Sequence, residues 1–182
     1  MIPEPRTRAA ADARRRLLHE LSQAPIAAAL DALSTELAAK AGAPFGIVNL
    51  FDPDTGQQRF VGLSAHPGGD LPHVERSMAP DWGYCPEVAR RTTALVLPNV
   101  CAKPRFAVNP VVDQLGIRTY AGAPLIHDPD GTGGTGDVFG TVCFVGREVM
   151  DRSTGRASLE LIKHYRDRVL QLASEHVGIR LP

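Results

Sequence analysis

Three cysteines, six histidines and one glycine-rich segment are the residues of this 182-residue chain whose types and spacing suggest chemistry beyond packing. Cys85, Cys101 and Cys143 stand 16 and 42 residues apart, so none belongs to a C-x-x-C pair. Cys85 lies between Tyr84 and Pro86, where a loop runs into a short helical pattern. A helix start lowers a thiol pKa, which makes Cys85 a candidate thiolate. Cys143 sits between Val142 and Phe144 in a strand pattern and reads as a small core residue. Cys101 follows a turn, and its role stays open. No cysteine and histidine are close in sequence, so spacing gives no support to a nucleophilic enzyme. His19, His66, His73, His127, His164 and His176 are scattered, without H-E-x-x-H spacing. They read as surface residues, and no metal is expected.

Gly131, Gly133 and Gly136 satisfy G-x-G-x-x-G after a strand pattern. A dinucleotide site needs a helix to follow, so that its N-terminus meets the pyrophosphate. A strand pattern follows instead. Asp128 and Asp130 open the same segment like a calcium loop, yet its twelfth position is Phe139, where a bidentate carboxylate is required. The segment reads as a hairpin tip.

The elements that must position these residues follow from hydrophobic period. Residues 6–43 are helical in pattern, with Leu17, Leu18 and Leu21 as one short stripe. Pro25 interrupts and fits the first turn of a second helix. There Ile26, Leu30, Leu33 and Leu37 recur at spacings of 4, 3 and 4, a one-sided seam closed by Gly42 as C-cap. Residues 45–51 and 58–63 then read as a hairpin about an Asp-Pro-Asp-Thr-Gly turn. A long loop is expected over 64–81, one or two helical turns over 86–91, a strand over 94–97, and irregular chain over 101–114 around Pro104 and Pro110. Strands over 119–127 and 138–146 form a second hairpin, and a helix over 158–177 closes the pattern. Strands joined by turns make an antiparallel sheet whose flanking helices cover one face, an α+β domain. Residues 1–24 read as a helical extension and 25–182 as the domain.

Composition narrows the function. Hydrophobic residues make up 43% and charged residues 22%, a globular balance that excludes general disorder. Twenty basic and twenty acidic residues cancel, so a basic field for nucleic acid is absent. Aromatics, at 5%, leave few stacking platforms. No apolar run reaches the roughly 18 residues of a membrane span. With an odd cysteine count and no signal-peptide pattern, a cytoplasmic protein without nucleic-acid or membrane partners is expected.

The most specific residues lie between Trp82 and Leu125 and in the strand after them. Trp82-Gly-Tyr-Cys-Pro, Lys103-Pro-Arg-Phe-Ala-Val-Asn-Pro, Tyr120-Ala-Gly-Ala-Pro-Leu and Phe139-Gly-Thr-Val-Cys occur in that order. Together they resemble the GAF domain family, particularly bacterial sensor-type members, over about residues 26–177. The resemblance implies a six-stranded antiparallel sheet with N- and C-terminal helices on one face and a ligand pocket on the other. It further implies a stand-alone sensor that binds a small ligand and relays the signal to a partner protein. Such domains commonly pair their terminal helices between subunits, and Leu30, Leu33 and Leu37 supply a seam for a homodimer. The Asn-Lys-x-Phe-Asp-Glu signature of the cyclic-nucleotide type is missing. The cysteines precede Pro86, Ala102 and Phe144 rather than the histidine of the bilin-binding type. The free methionine sulfoxide reductase type also carries three cysteines, but more closely spaced. Haem-binding members use a pocket histidine, for which His127 is the one candidate. No cofactor is assigned, and the ligand stays unidentified.

Matched to the family's sheet and roof, the pocket draws on Trp82, Tyr84, Cys85, Arg105, Phe106, Asn109, Arg118, Tyr120, Thr141 and Cys143. Arg118 and Tyr120 are two apart and share a strand face, so a guanidinium and a phenol would meet the ligand together and favour an anion. The alternative is that Arg118 pairs with Asp113 or points to solvent, that Tyr120, Phe106 and Trp82 are core, and that Asn109 makes a turn before Pro110. Two other functional readings accompany the sensor. One is a thiol-based redox sensor or reductase centred on Cys85; the other is a ligand-free dimerisation scaffold.

Overall fold

In the computed structural model, which describes residue 5 and residues 7–65, 71–127 and 136–178, the period-two segments join into one six-stranded antiparallel sheet. The strands are β1 (Phe45–Phe51), β2 (Gln58–Leu63), β3 (Ser77–Met78), β4 (Leu95–Leu97), β5 (Thr119–His127) and β6 (Asp137–Gly146), in the order β3-β2-β1-β6-β5-β4. Each hairpin supplies one half, and the β1–β6 ladder joins them at the centre. The β1–β2 turn is set by Asp52, whose carboxylate accepts the N–H groups of Asp54 and Thr55, and by Gly56 at φ 70°. Two-residue β3 lies within the stretch expected as loop, because so short a strand shows no period to read.

Three helices cover one face: α1 (Arg8–Leu21), α2 (Ile26–Ala41) and α6 (Gly155–Val177). Their apolar stripes, including Leu17, Leu21, Leu30, Leu37, Ile162 and Val169, pack with Val48, Leu50, Ala121, Leu125 and Phe144 in one core. Arg14 adds a largely buried ion pair to Asp137 at 2.9 Å, tying α1 to the start of β6. Gly42 ends α2 in the left-handed conformation at φ 61°, its N–H bonding the carbonyls of Ala38 and Ala39. Leu30 and Leu37 are fully buried, while Leu33 is half-buried. The 4-3-4 seam is therefore mainly the core face of α2, and only Leu33 of the three leucines keeps an outward share.

The opposite face is roofed by short pieces: α3 (Cys85–Arg91), a 3-10 turn (Val100–Ala102), α4 (Pro104–Ala107) and α5 (Pro110–Gln114). Chain expected to be irregular over 101–114 is thus mostly helical. Pro104 and Pro110 start helices rather than break them, because a first-turn position has no intrahelical partner for the missing N–H.

Candidate functional site

The roofed face of the sheet holds the chain's chemistry. Asn49 and Ile47 of β1 stand opposite Thr141 and Cys143 of β6. Tyr120 of β5 turns back over Gly122, where a β-carbon would collide with its hydroxyl. From the roof, Cys85 at the first turn of α3 comes down between them. Its Sγ lies 3.7 Å from Cys143 Sγ and accepts from the Tyr120 hydroxyl at 3.5 Å. Beside the sulfurs, Asn49 Nδ2 donates to Thr141 Oγ1 at 3.4 Å and to Gln58 Oε1 at 3.3 Å. The Asn49 Oδ1 acceptor is buried without a partner among the described residues.

Side-chain-to-backbone bonds position the roof. Gln58 Nε2 donates to the carbonyls of Ala79 and Trp82, tying β2 to the loop that enters α3. Asn109 accepts the Gly83 N–H at 2.9 Å and donates to the Gly83 carbonyl at 2.8 Å, while its Oδ1 also accepts the Val111 N–H. Gly83 has φ 71°, which favours glycine at this clamp. Tyr84 donates to the Phe106 carbonyl at 3.0 Å and stacks edge-on against that ring.

The thiols ionise unequally. Cys85 is lowered to about 7, chiefly because Cys143 donates its S–H, against the opposing effect of burial and with help from Thr141, Tyr120 and Asn49. Cys143 is held well above its ordinary value by that same bond to Cys85, by burial and by the neighbouring negative charge. Burial, then the two sulfurs' charge, raises Tyr120 well above 10, so it stays a neutral donor. The lowered Cys85 expected from its helix-start position is thus explained here by side chains that only the fold brings together.

An apolar cavity of about 40 Å³ adjoins the pair, lined by Tyr84, Cys85, Tyr120 and Cys143 together with Phe45, Ile47, Phe60, Met78 and Val111. It has room for roughly one or two water-sized molecules. Pockets for drug-sized ligands run to about 300–1,000 Å³, so a chromophore of bilin size does not fit this closed form. Of the ten expected residues, these four line the cavity, and Thr141 does not line it but accepts from Asn49. Phe106 and Trp82 pack in the surrounding cluster. Asn109 clamps Gly83. Arg105 is exposed and lies over the Phe106 ring. Arg118 points Nη1 at the carbonyls of Val112 and Ile117, so guanidinium and phenol do not converge. Asn49 and Gln58 belong to the site and were not singled out in the sequence. The available signal was a polar residue inside Phe-Gly-Ile-Val-Asn-Leu-Phe, a strand buried at all seven positions. Among the described residues no cluster of three or more His, Cys, Asp or Glu side chains could hold a metal ion. Residues 128–135, which carry most of the glycine-rich segment, lie outside the described residues.

A six-stranded antiparallel sheet with long helices on one face and a roofed cavity on the other defines an α+β small-ligand domain. The GAF domain family profile matches residues 10–181, and the chain belongs to that family. Solved structures share the fold. The GAF domain of an Acinetobacter phosphoenolpyruvate-protein phosphotransferase is 16% identical, with 92% of this chain and 95% of that one covered at a TM-score of 0.60. A phycoerythrobilin-bound GAF domain of a cyanobacterial phytochrome is 16% identical, covering 92% and 97% at 0.62. The free methionine-R-sulfoxide reductase of Neisseria meningitidis, solved with its substrate, is 15% identical, covering 96% and 98% at 0.58. No curated protein sequence matches the chain. No helix among the described residues is long and apolar enough to cross a membrane.

Proposed function

We propose that this GAF domain is a cytoplasmic sensor that takes a small ligand in the cavity above β1, β5 and β6, works as a homodimer, and relays the bound state to a signalling partner. The observation that carries this reading is the cavity itself, set between the sheet and a roof of short helices pinned by a handful of bonds. A ligand that binds better to an opened roof shifts the population toward it, and α3 and α5 move with the Gly83–Asn109 clamp. The cavity wall carries no charged side chain, so it suits a small uncharged ligand in the closed form. An anion would have to draw Arg118 away from its carbonyls.

The homodimer is assigned to the outer surface of α2 and α6, where Ala29, Leu33 and Leu172 border a groove crossed by the Glu36–Arg168 ion pair at 2.8 Å. Native mass spectrometry of the protein as purified tests both parts. An added mass per subunit, lost on denaturation, is expected on a dimer, and Leu33→Glu with Leu172→Glu should give monomers. A bare chain whose melting temperature no small metabolite raises would overturn the ligand. A dimer that survives the double substitution would overturn the interface.

A further inference from the structure

Cys85 and Cys143 come from opposite layers of the domain, one from the roof helix α3 and one from the centre of the sheet, yet their sulfurs touch at 3.7 Å and face one cavity. We propose that this pair is an oxidation site for a small hydroperoxide, which converts the two thiols to an intramolecular Cys85–Cys143 disulfide. The reaction does not depend on a reversible ligand occupying the cavity.

Geometry assigns the two roles. Cys85 retains 6% of its exposure and Cys143 only 1%, so an incoming molecule meets Cys85 first. Three further side chains support its sulfur as an anion: the Tyr120 hydroxyl at 3.5 Å, the Thr141 hydroxyl and the Asn49 amide. Both side chains are buried, and Cys85, with the Tyr120 hydroxyl on its sulfur, is the one whose thiolate is stabilised, whereas Cys143 keeps its proton. Cys85 is therefore the attacking thiolate and Cys143 the resolving thiol. The cavity of about 40 Å³ admits a molecule the size of hydrogen peroxide and excludes bulky hydroperoxides.

In the first step the Cys85 thiolate attacks the distal oxygen of the peroxide. A sulfur–oxygen bond forms, the oxygen–oxygen bond breaks, and the leaving oxygen departs as hydroxide or alkoxide that takes up the proton Cys85 had released. Tyr120, neutral and in contact with the sulfur, is placed to pass that proton. Cys85 is now a sulfenic acid. In the second step Cys143 Sγ attacks Cys85 Sγ, its thiol proton joins the departing hydroxyl, and water leaves as the disulfide forms. Two thiols and one peroxide thus give one disulfide, one alcohol or water from the leaving oxygen, and one further water, with two electrons passing from sulfur to oxygen. The sulfurs need only close from 3.7 Å to about 2.05 Å. Closure ties α3 to β6 and removes the anion that Tyr120, Thr141 and Asn49 support, so the oxidised roof differs from the reduced one.

The test uses the folded chain with the exposed third thiol removed, Cys101→Ser, which leaves both buried side chains in place. One molar equivalent of hydrogen peroxide should lower the intact mass by about 2 Da and consume both free thiols. A phosphine reductant should reverse the change, and proteolysis should yield a linked peptide pair containing Cys85 and Cys143. Cumene hydroperoxide should react at least about tenfold more slowly, because it does not fit the cavity. In Cys143→Ala the reaction should stop at a Cys85 sulfenic acid that dimedone traps. Both thiols intact after excess peroxide, equal rates for the two peroxides, or a disulfide seen only after denaturation would each overturn the proposal. Absence of a bound ligand in native mass spectra bears on the sensor reading and leaves these outcomes untouched.

Discussion

On the helical face of the sheet, three long helices lay leucine and isoleucine stripes onto alternating valine, leucine and alanine positions, with Arg14, Ser34 and Ser158 as the buried polar exceptions. On the roofed face, segments of three to seven residues bring tyrosine, phenylalanine and cysteine against a sheet that carries Asn49, Thr141 and Gln58. Long helices gain stability by burying a stripe along their whole length, and that leaves little freedom to rearrange. Short proline-initiated helices gain less each, so their positions depend on a few directed bonds such as Asn109–Gly83. The division of labour follows. One face holds the domain together, and the other is the one proposed to open and react.

Truncation gives the largest effect and tests that division directly. Leu30→Ala, at a fully buried position under the sheet, should cost about 3–4 kcal/mol in urea denaturation. Leu115→Ala, half-buried at the roof, should cost about 1 kcal/mol. Equal losses would break the contrast between the faces.

A pair of strand glycines sharpens the same comparison. A β-carbon at Gly46 would strike the backbone carbonyl of Ser34 in α2, which cannot yield without moving the helix. Gly46→Ala should therefore destabilise the fold by about 2–3 kcal/mol, read as a lower urea midpoint. A β-carbon at Gly122 meets the hydroxyl and ring edge of Tyr120, a buried side chain rather than a helix backbone. Gly122→Ala should cost about 1–2 kcal/mol, less than Gly46→Ala, and slow alkylation of Cys85 at neutral pH because the phenol leaves its sulfur. A Gly122→Ala protein that is destabilised as strongly as Gly46→Ala, with unchanged thiol reactivity, would place both faces in one rigid core.

This asymmetry also decided what the sequence made legible. Leu30, Leu33 and Leu37 announce a helix because regular period survives along a long element, although period alone does not say whether the stripe meets a sheet or a second subunit. The two hairpins were readable from alternation and from turn residues such as Asp52 and Gly56. The roof was not: Pro104 and Pro110 suit an irregular loop and a helix start equally well. The Cys85–Cys143 contact spans 58 residues and depends on strand register and on how α3 sits over β6, neither of which leaves a local pattern. Cys143 was rightly readable as buried, but its partner was not. Asn49 shows only as a polar interruption in an apolar strand.

A pH dependence of stability centred on Cys85 probes the roofed face in a different way. In the folded protein Cys85 loses its proton at about 7, while an ordinary unfolded thiol holds it until roughly pH 8.5. Between those values the unfolded chain binds more protons than the native one, so stability rises with pH. Higher up the sign reverses, because Cys143 and Tyr120 are raised above their ordinary values and keep protons that the unfolded chain gives up. The melting temperature under reducing conditions, taken as wild type minus Cys85→Ala, should therefore climb from pH 7 to a maximum near about pH 9 and fall beyond it. Tyr120→Phe removes one donor to Cys85 and should move the start of the climb upward. A difference that is flat or falling from pH 7 would mean that Cys85 stays a neutral thiol, and the roofed face would then be a second, more polar core.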